Sequence, residues 1–279
     1  MRDIGWVRSA LFLPASNARA IEKARGLACD MVLFDLEDAV KAEDKARART
    51  AAVEAVAGDY GGRPLAIRLN GAGTGWQADD IAAVRSSRAD FVVAPKVESA
   101  ADATRVAQAS GKPLLTMIET PAGLLAASAI AAVPGVQGLI AGTNDIAAAL
   151  RLPPGEGRAG LTLALQTIVL AARAHGALAL DGVWNRLDDP EGFEAECREG
   201  RAFGFDGKTL IHPNQIAAAN TVFAPDAAEV EEARALIAAA TGGAERFRGR
   251  MIEGMHVESA RRLLAMEEAG GSKTAPLPL

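Results

Sequence analysis

Eight short apolar runs recur along the chain, each followed by a stretch with helical periodicity that is usually alanine-rich. They are 9-SALFLP-14, 31-MVLFDLE-37, 64-PLAIRLN-70, 91-FVVAPKV-97, 114-LLTMIET-120, 138-GLIAGTND-145, 178-LALDGV-183 and 204-GFDGKTLIHP-213. Most are apolar throughout rather than alternating. Strands buried on both faces of a parallel, helix-covered sheet read this way. The intervening segments read as helices. Among them are 17-NARAIEKARGLA-28 with Asn17 as N-cap, 78-ADDIAAVRSS-87, 99-SAADATRVAQAS-110, and 161-LTLALQTIVLAARAHG-176 with Gly176 as C-cap. Eight strand–helix units in about 220 residues predict an α/β protein built as a (β/α)8 barrel. A doubly wound open sheet would use fewer strands, and no G-x-G-x-x-G follows the first run. The repeat then stops. Segments 227–241 and 257–269 read as helices, joined by a polar, glycine-rich connection, 242-GGAERFRGRMIEG-254. The expected organisation is a barrel over 1–222 and a helical arm over 223–279 that packs on a neighbouring subunit. The final GGSKTAPLPL reads as frayed.

Composition narrows the setting. The chain has 279 residues, 49% hydrophobic and 23% charged, which suits a soluble protein with a sizeable core. A net charge of −5 argues against a nucleic-acid footprint. No apolar run is long enough to cross a bilayer, and MRDIGWVRSALFLPAS lacks an A-x-A-like cleavage site. Cys29 and Cys197 are too few for a disulfide framework. They read as small buried apolar residues in a reducing cytoplasm, the expected location.

Candidate chemistry gathers where barrel enzymes carry it, at the carboxyl ends of the strands. Those ends supply Asp35, Glu37 and Asp38, then Arg68 and Asn70, Lys96 and Glu98, Glu119 and Thr120, and Thr143, Asn144 and Asp145. Asp181, Lys208 and His212 follow. Glu98 and Asp181 read equally well as acids opening the next helix. Glu119 and Asp145 directly follow the apolar runs 114-LLTMI-118 and 138-GLIAG-142 and read as mouth residues. Several carboxylates at one buried mouth cost free energy without a cation. An all-oxygen set points to Mg2+, with Mn2+ as the substitute, rather than zinc. His175, His212 and His256 show no metal-ligand spacing and read as caps or packing. Lys96 or Lys208 could form a Schiff base, but acidic surroundings raise a lysine pKa and work against that. Loop 71-GAGTG-75 lacks a P-loop lysine. Arg19, Lys23 and Arg25 read as a solvated helix face that could also meet phosphates. Trp76 and Trp184 either line the mouth or pack.

The segments 8-RSALFLPASN-17, 35-DLEDAV-40, 67-IRLN-70, 95-PKVE-98, 117-MIET-120, 142-GTNDIA-147, 206-DGKTLIHP-213 and 249-GRMIEGMHVESARRLL-264 occur in this order along nearly the whole chain. Together they resemble the citrate lyase β-subunit-like (CitE-like) group of the HpcH/HpaI aldolase superfamily, which includes malyl-CoA and citramalyl-CoA lyases. The resemblance implies a (β/α)8 barrel, assembly as a homotrimer or hexamer, and Mg2+ held by Glu119 and Asp145. It implies that Glu37 and Asp38 lie beside the metal and its waters. It puts Arg68 on the substrate's carboxylate or carbonyl oxygen, with Asn144 as a further substrate contact. Glu253 stands where lyases of the group carry an aspartate that enters the adjacent subunit's site as acid/base. It keeps the carboxylate but is one methylene longer. The implied reaction is Mg2+-dependent cleavage of a 3-hydroxyacyl-CoA thioester into an acyl-CoA and a 2-oxo acid. The alternatives are an aldolase on a 2-oxo acid, a CoA-ester hydrolase, or a β subunit of a larger citrate lyase complex.

Overall fold

The computed structural model describes residues 6–155 and 157–273. Eight parallel strands close in sequence order: β1 (Ser9–Pro14), β2 (Met31–Asp35), β3 (Leu65–Arg68), β4 (Phe91–Ala94), β5 (Leu114–Ile118), β6 (Val136–Ala141), β7 (Leu178–Asp181) and β8 (Gly207–Leu210). Closure comes from β1 pairing with β8, Ser9 opposite Lys208 and Leu11 opposite Leu210. The expected (β/α)8 barrel is therefore the observed one. The helices around it are α1 (Ala18–Ala24), α2 (Lys45–Ala55), α3 (Gln77–Ser86), α4 (Ala100–Ser110), α5 (Pro121–Ala131), α6 (Thr143–Ala149), α7 (Thr162–Ala174), α8 (Pro190–Phe203) and α9 (Ile216–Val222). No helix among the described residues is long and apolar enough to cross a membrane.

Local chemistry starts several helices close behind their strands. Asn17 Oδ1 accepts from the Ala20 N–H at 3.1 Å, Ser99 Oγ from Asp102 at 3.1 Å, and Thr120 Oγ1 from Gly123 at 3.0 Å. Pro121 and Pro190 occupy first-turn positions, where a missing N–H costs nothing. Gly111 (φ 62) and Gly204 (φ 97) end α4 and α8 in the left-handed region.

Strand alternation decides what faces the barrel interior. Phe12, Leu33, Ala66, Val93, Met117, Ile140 and Leu180 form one buried cluster. Two residues further along their strands, Asp35, Arg68 and Glu119 share that inward parity. Asp181 follows inward Leu180 and takes the opposite parity.

The described residues fall into two compact units divided at Asn220/Thr221, against an expected boundary at 222. The second contains α10 (Ala227–Ala239), β9 (Glu245–Phe247), β10 (Arg250–Ile252) and α11 (Gly254–Lys273). An Asp226–Glu229 capping box starts α10. Ala233, Leu236, Phe247, Ile252 and Ala260 form this unit's own core. The segment read as a connection, 242–254, is in fact a β-hairpin. Arg248 (φ 46) and Gly249 (φ 85) both lie at positive φ, as a two-residue type I′ turn requires. Arg248 and Arg250 both pair with Glu232 on α10. Of the tail read as frayed, Gly270–Lys273 belong to α11, and 274–279 lie outside the described residues.

Leu115 is fully buried in the barrel cluster. Leu115→Ala is expected to lower stability by about 2–5 kcal/mol, read as a fall in the urea midpoint.

Candidate active site

Neighbouring strands β2 and β3 place Asp35 directly opposite Arg68 in register. The two Asp35 carboxylate oxygens accept from Arg68 Nε and Nη2, each at 2.6 Å. They also accept from the backbone N–H groups of Glu37 (2.8 Å) and Ala39 (3.1 Å). Asp35 is 1% exposed and is met by four donors, as a buried carboxylate must be. The guanidinium lies over the Phe12 ring, 4.9 Å from its centre. Its third nitrogen, Nη1, approaches Glu37 Oε2 (3.1 Å), Asp38 Oδ2 (3.4 Å) and Met117 Sδ (3.7 Å). Burial pulls the Arg68 pKa down, but Asp35 and the neighbouring acids outweigh it and hold the group above its ordinary value.

Glu37 is 7% exposed. Burial lifts its pKa from 4.5 to about 7, against the pull of Arg68. Its Oε1 lies 3.5 Å from Lys96 Nζ, and its buried Oε2 completes no hydrogen bond despite the nearby guanidinium. Glu119 is 2% exposed, and burial plus the charge of Glu37 lift its pKa to about 8. Its Oε1 accepts from the Lys96 N–H at 2.6 Å. Lys96 takes a left-handed backbone conformation, φ 52, to deliver that N–H. Glycine is required at 142: a Cβ there would sit 2.2 Å from Glu119 Cβ and 2.6 Å from Oε2. A cavity of about 470 Å³ is lined by Asp38, Arg68, Glu119, Asn144 and Asp145 among others. Asn185 Nδ2 donates to Asn144 Oδ1 at 2.7 Å beside it.

The donor chemistry fits magnesium. Glu119 and Asp145 offer hard oxygens on one cavity, the buried Glu37 Oε2 accepts no hydrogen bond, and burial lifts two carboxyls that a bound cation would stabilise in their ionised form. Among the described residues no group of three or more His, Cys, Asp or Glu is gathered for a metal. Mg2+ needs only one or two carboxylates, completing its shell with water and substrate.

Residues 8–213 match the family described as HpcH/HpaI aldolase/citrate lyase, and residues 162–270 match one described as C-C bond lyase of the TIM-barrel fold. The chain belongs to the HpcH/HpaI aldolase/citrate lyase family. It is 45% identical over 270 residues to a (3S)-malyl-CoA thioesterase of Cereibacter sphaeroides, covering 94% of this chain and 95% of the relative. It is 35% identical over 301 residues to an L-malyl-CoA/β-methylmalyl-CoA lyase of the same species, covering 94% of each. Among solved structures, CitE from Mycobacterium tuberculosis in complex with magnesium, acetoacetate and coenzyme A matches with a TM-score of 0.84 at 32% identity. That match covers 95% of this chain and 99% of that one.

The HpcH/HpaI fold sorts the other polar residues singled out in the sequence. Asp181 and Lys208 do not join the mouth. Their parity turns them outward, where Lys208 Nζ meets Asp181 (3.0 Å) and Glu196 (2.7 Å). Arg158 completes that cluster with two 2.9 Å bonds to Asp181. Asp181 is thus neither a mouth acid nor a helix-opening one. Burial pulls the Lys96 and Lys208 ammonium groups down, but their carboxylate neighbours outweigh it and hold both above the ordinary lysine value. That disfavours a Schiff base. Asn70 turns to Asp80 (2.7 Å), and Thr120 caps α5. His212 Nδ1 caps the turn after β8, His256 Nδ1 accepts from the Glu253 N–H, and His175 bonds Ser128. Trp184 lies under Arg186, and Trp76 faces Lys45. Both cysteines are buried, and burial pushes the Cys197 thiol to about 12. Glu253 stands exposed between β10 and α11 in the second unit. Sequence reasoning passed over Arg158 and Lys45, which lie away from strand ends, and Met117 and Asn185, which carry no charge.

Glu37 and Glu119 bind protons more tightly in the fold than in the unfolded chain, whose carboxyls titrate near 4.5. Their contribution to metal-free stability is therefore fully present below that pH and is lost as pH rises toward about 8, because the unfolded state ionises first. A divalent cation held by the ionised carboxylates would reverse the decline. Melting temperatures measured from about pH 5 to about pH 9, with EDTA or with Mg2+, test this. Glu119→Gln should flatten both the decline and its reversal.

Proposed function

We propose that this chain is a Mg2+-dependent enzyme that hydrolyses the CoA thioester of a short 3-hydroxy dicarboxylic acid of the malyl type. The observation that carries this reading is the Asp35–Arg68 clamp sharing one cavity with Glu119 and Asp145. It does so in a chain 45% identical along 94% of its length to a relative named (3S)-malyl-CoA thioesterase.

Each residue has a definable task. Arg68 gives Nε and Nη2 to Asp35, which leaves Nη1 to bind a substrate carboxylate or the thioester carbonyl oxygen. Asn144, held by Asn185, orients the same ligand. Glu119 and Asp145 would hold Mg2+, and Mn2+ suits the same oxygens. Bound there, the ion would supply Lewis acidity at the substrate oxygens. Glu37, titrating near neutrality, accepts the proton of the attacking water, with Asp38 beside it at the rim. The water oxygen bonds to the thioester carbonyl carbon, the C–S bond breaks, and the thiolate leaves and takes a proton. The products are the free acid and CoA.

A second reading, carbon–carbon cleavage, draws support from the lyase relative and from the carboxylate at position 253. There Glu37 takes the proton of the substrate hydroxyl. The adjacent carbon–carbon bond breaks to release a 2-oxo acid. Glu253, brought by the 223–279 arm of a neighbouring copy in a homotrimer or hexamer, protonates the enolate carbon of the thioester.

Malyl-CoA incubated with the protein and Mg2+ separates the readings. Free thiol and malate without glyoxylate support hydrolysis, and acetyl-CoA and glyoxylate without free thiol support cleavage. Neither product set sinks both, as does full activity in EDTA. Arg68→Lys keeps the charge but loses the paired geometry and is expected to cost about 10²-fold in turnover. Glu253→Ala should lower glyoxylate release while leaving Mg2+ affinity unchanged, and an unaltered kcat removes Glu253 from the mechanism.

A further inference from the structure

The loop that carries Glu37 presents its backbone polar groups to two buried charges. The N–H groups of Glu37 and Ala39 go to Asp35. On the other side, the carbonyl oxygens of Leu36 and Glu37 both accept from Lys45 Nζ, each at 2.7 Å. Lys45 opens α2 and is 6% exposed. Its ammonium also lies 5.2 Å from the centre of the Trp76 ring, next to the start of α3. Arg49, one helical turn on, bonds Asp80 at 2.7 Å, and Asp80 in turn accepts from the Asn70 N–H and Nδ2. The loops after β2 and β3 are thereby tied to each other from behind the mouth.

Burying an ammonium costs free energy unless its protons are met. Methionine would fill a similar volume without that cost, so packing alone does not call for lysine here. What the charge adds is a fixed pair of acceptors. With Asp35 holding the loop's N–H groups and Lys45 its carbonyls, the backbone at residue 37 is restrained from both sides. Its side chain is directed between Arg68 Nη1 and Lys96 Nζ. Lys45 does not line the cavity, and neither reaction above uses it.

We propose that Lys45 is a positioning residue, which sets the direction of the Glu37 carboxylate by holding the carbonyl oxygens of Leu36 and Glu37. The proposal rests on the reading of Glu37 as the proton acceptor.

The test uses the full chain carrying Lys45→Met or Lys45→Arg, with Arg47→Met as the same charge loss on the exposed side of α2. Hydrogen exchange is followed in peptides covering 36–41, and kcat and KM are measured on malyl-CoA. Lys45→Met is expected to raise exchange in those peptides and to lower kcat about 10- to 100-fold, with KM changed less than about twofold. Lys45→Arg restores most of both, and Arg47→Met alters neither. Unchanged exchange in Lys45→Met overturns the proposal, and so does raised exchange with unchanged kcat. Should the wild type turn over no ester, the functional reading fails, while the exchange data still decide whether Lys45 holds the loop. If Lys45→Met does not fold, Lys45→Gln carries the same measurements.

Discussion

The site hangs on one buried ion pair. Asp35 and Arg68 stand opposite each other on adjacent strands and meet through two parallel bonds of 2.6 Å. A buried pair of this kind is tolerated only when the remaining hydrogen-bonding capacity is also met. Asp35 meets it by accepting the N–H groups of Glu37 and Ala39, which ties the loop's course to the pair. Arg68 meets it with the Phe12 face and with Nη1 turned toward Glu37 and Asp38. Loss of Arg68 leaves the buried Asp35 carboxylate with only those two N–H groups, and loss of Asp35 leaves the N–H groups without their acceptor.

The same arrangement sets the electrostatics of the mouth. Arg68 and Lys96 are the cations in contact with its acids, and Arg68 is largely spent on Asp35. Burial outweighs their pull on Glu37 and Glu119, which hold protons to about 7 and about 8. Such a site is short of positive charge, and a divalent cation is the economical remedy. The second cluster, buried Asp181, Lys208 and Arg158 with Glu196 and the half-exposed Glu199, pairs each of its cations with acids of its own. It is structural for that reason. Two acidic strand ends of similar appearance thus have opposite fates, decided by whether their neighbours neutralise them.

Hydrolysis and carbon–carbon cleavage place nearly the same demands on the barrel: a clamp for an anionic substrate, a cation site and an acceptor titrating near neutrality. They differ in what meets the thioester carbonyl or its enolate. In the readings proposed above that difference would lie outside the eight strands, in a proton donor such as Glu253. One fold serves relatives named for either reaction.

The sequence by itself determined the barrel, because eight doubly buried strands leave eight apolar runs and short polar residues cap the helices behind them. Asn17 was legible for the same reason. It also determined that acids crowd the strand ends. Tertiary structure alone decided which of those acids act together. Side-chain direction alternates residue by residue, so one position of register separates inward Asp35 and Glu119 from outward Asp181. The hairpin at 245–252 escaped notice because its strands are three residues long and its turn is Arg-Gly rather than Asn-Gly. Lys45 and Arg158 escaped it because a cation's partners are chosen in space: Leu36 and Glu37 for one, Asp181 for the other. Nothing in local spacing marks a buried charge until the chain has closed around it.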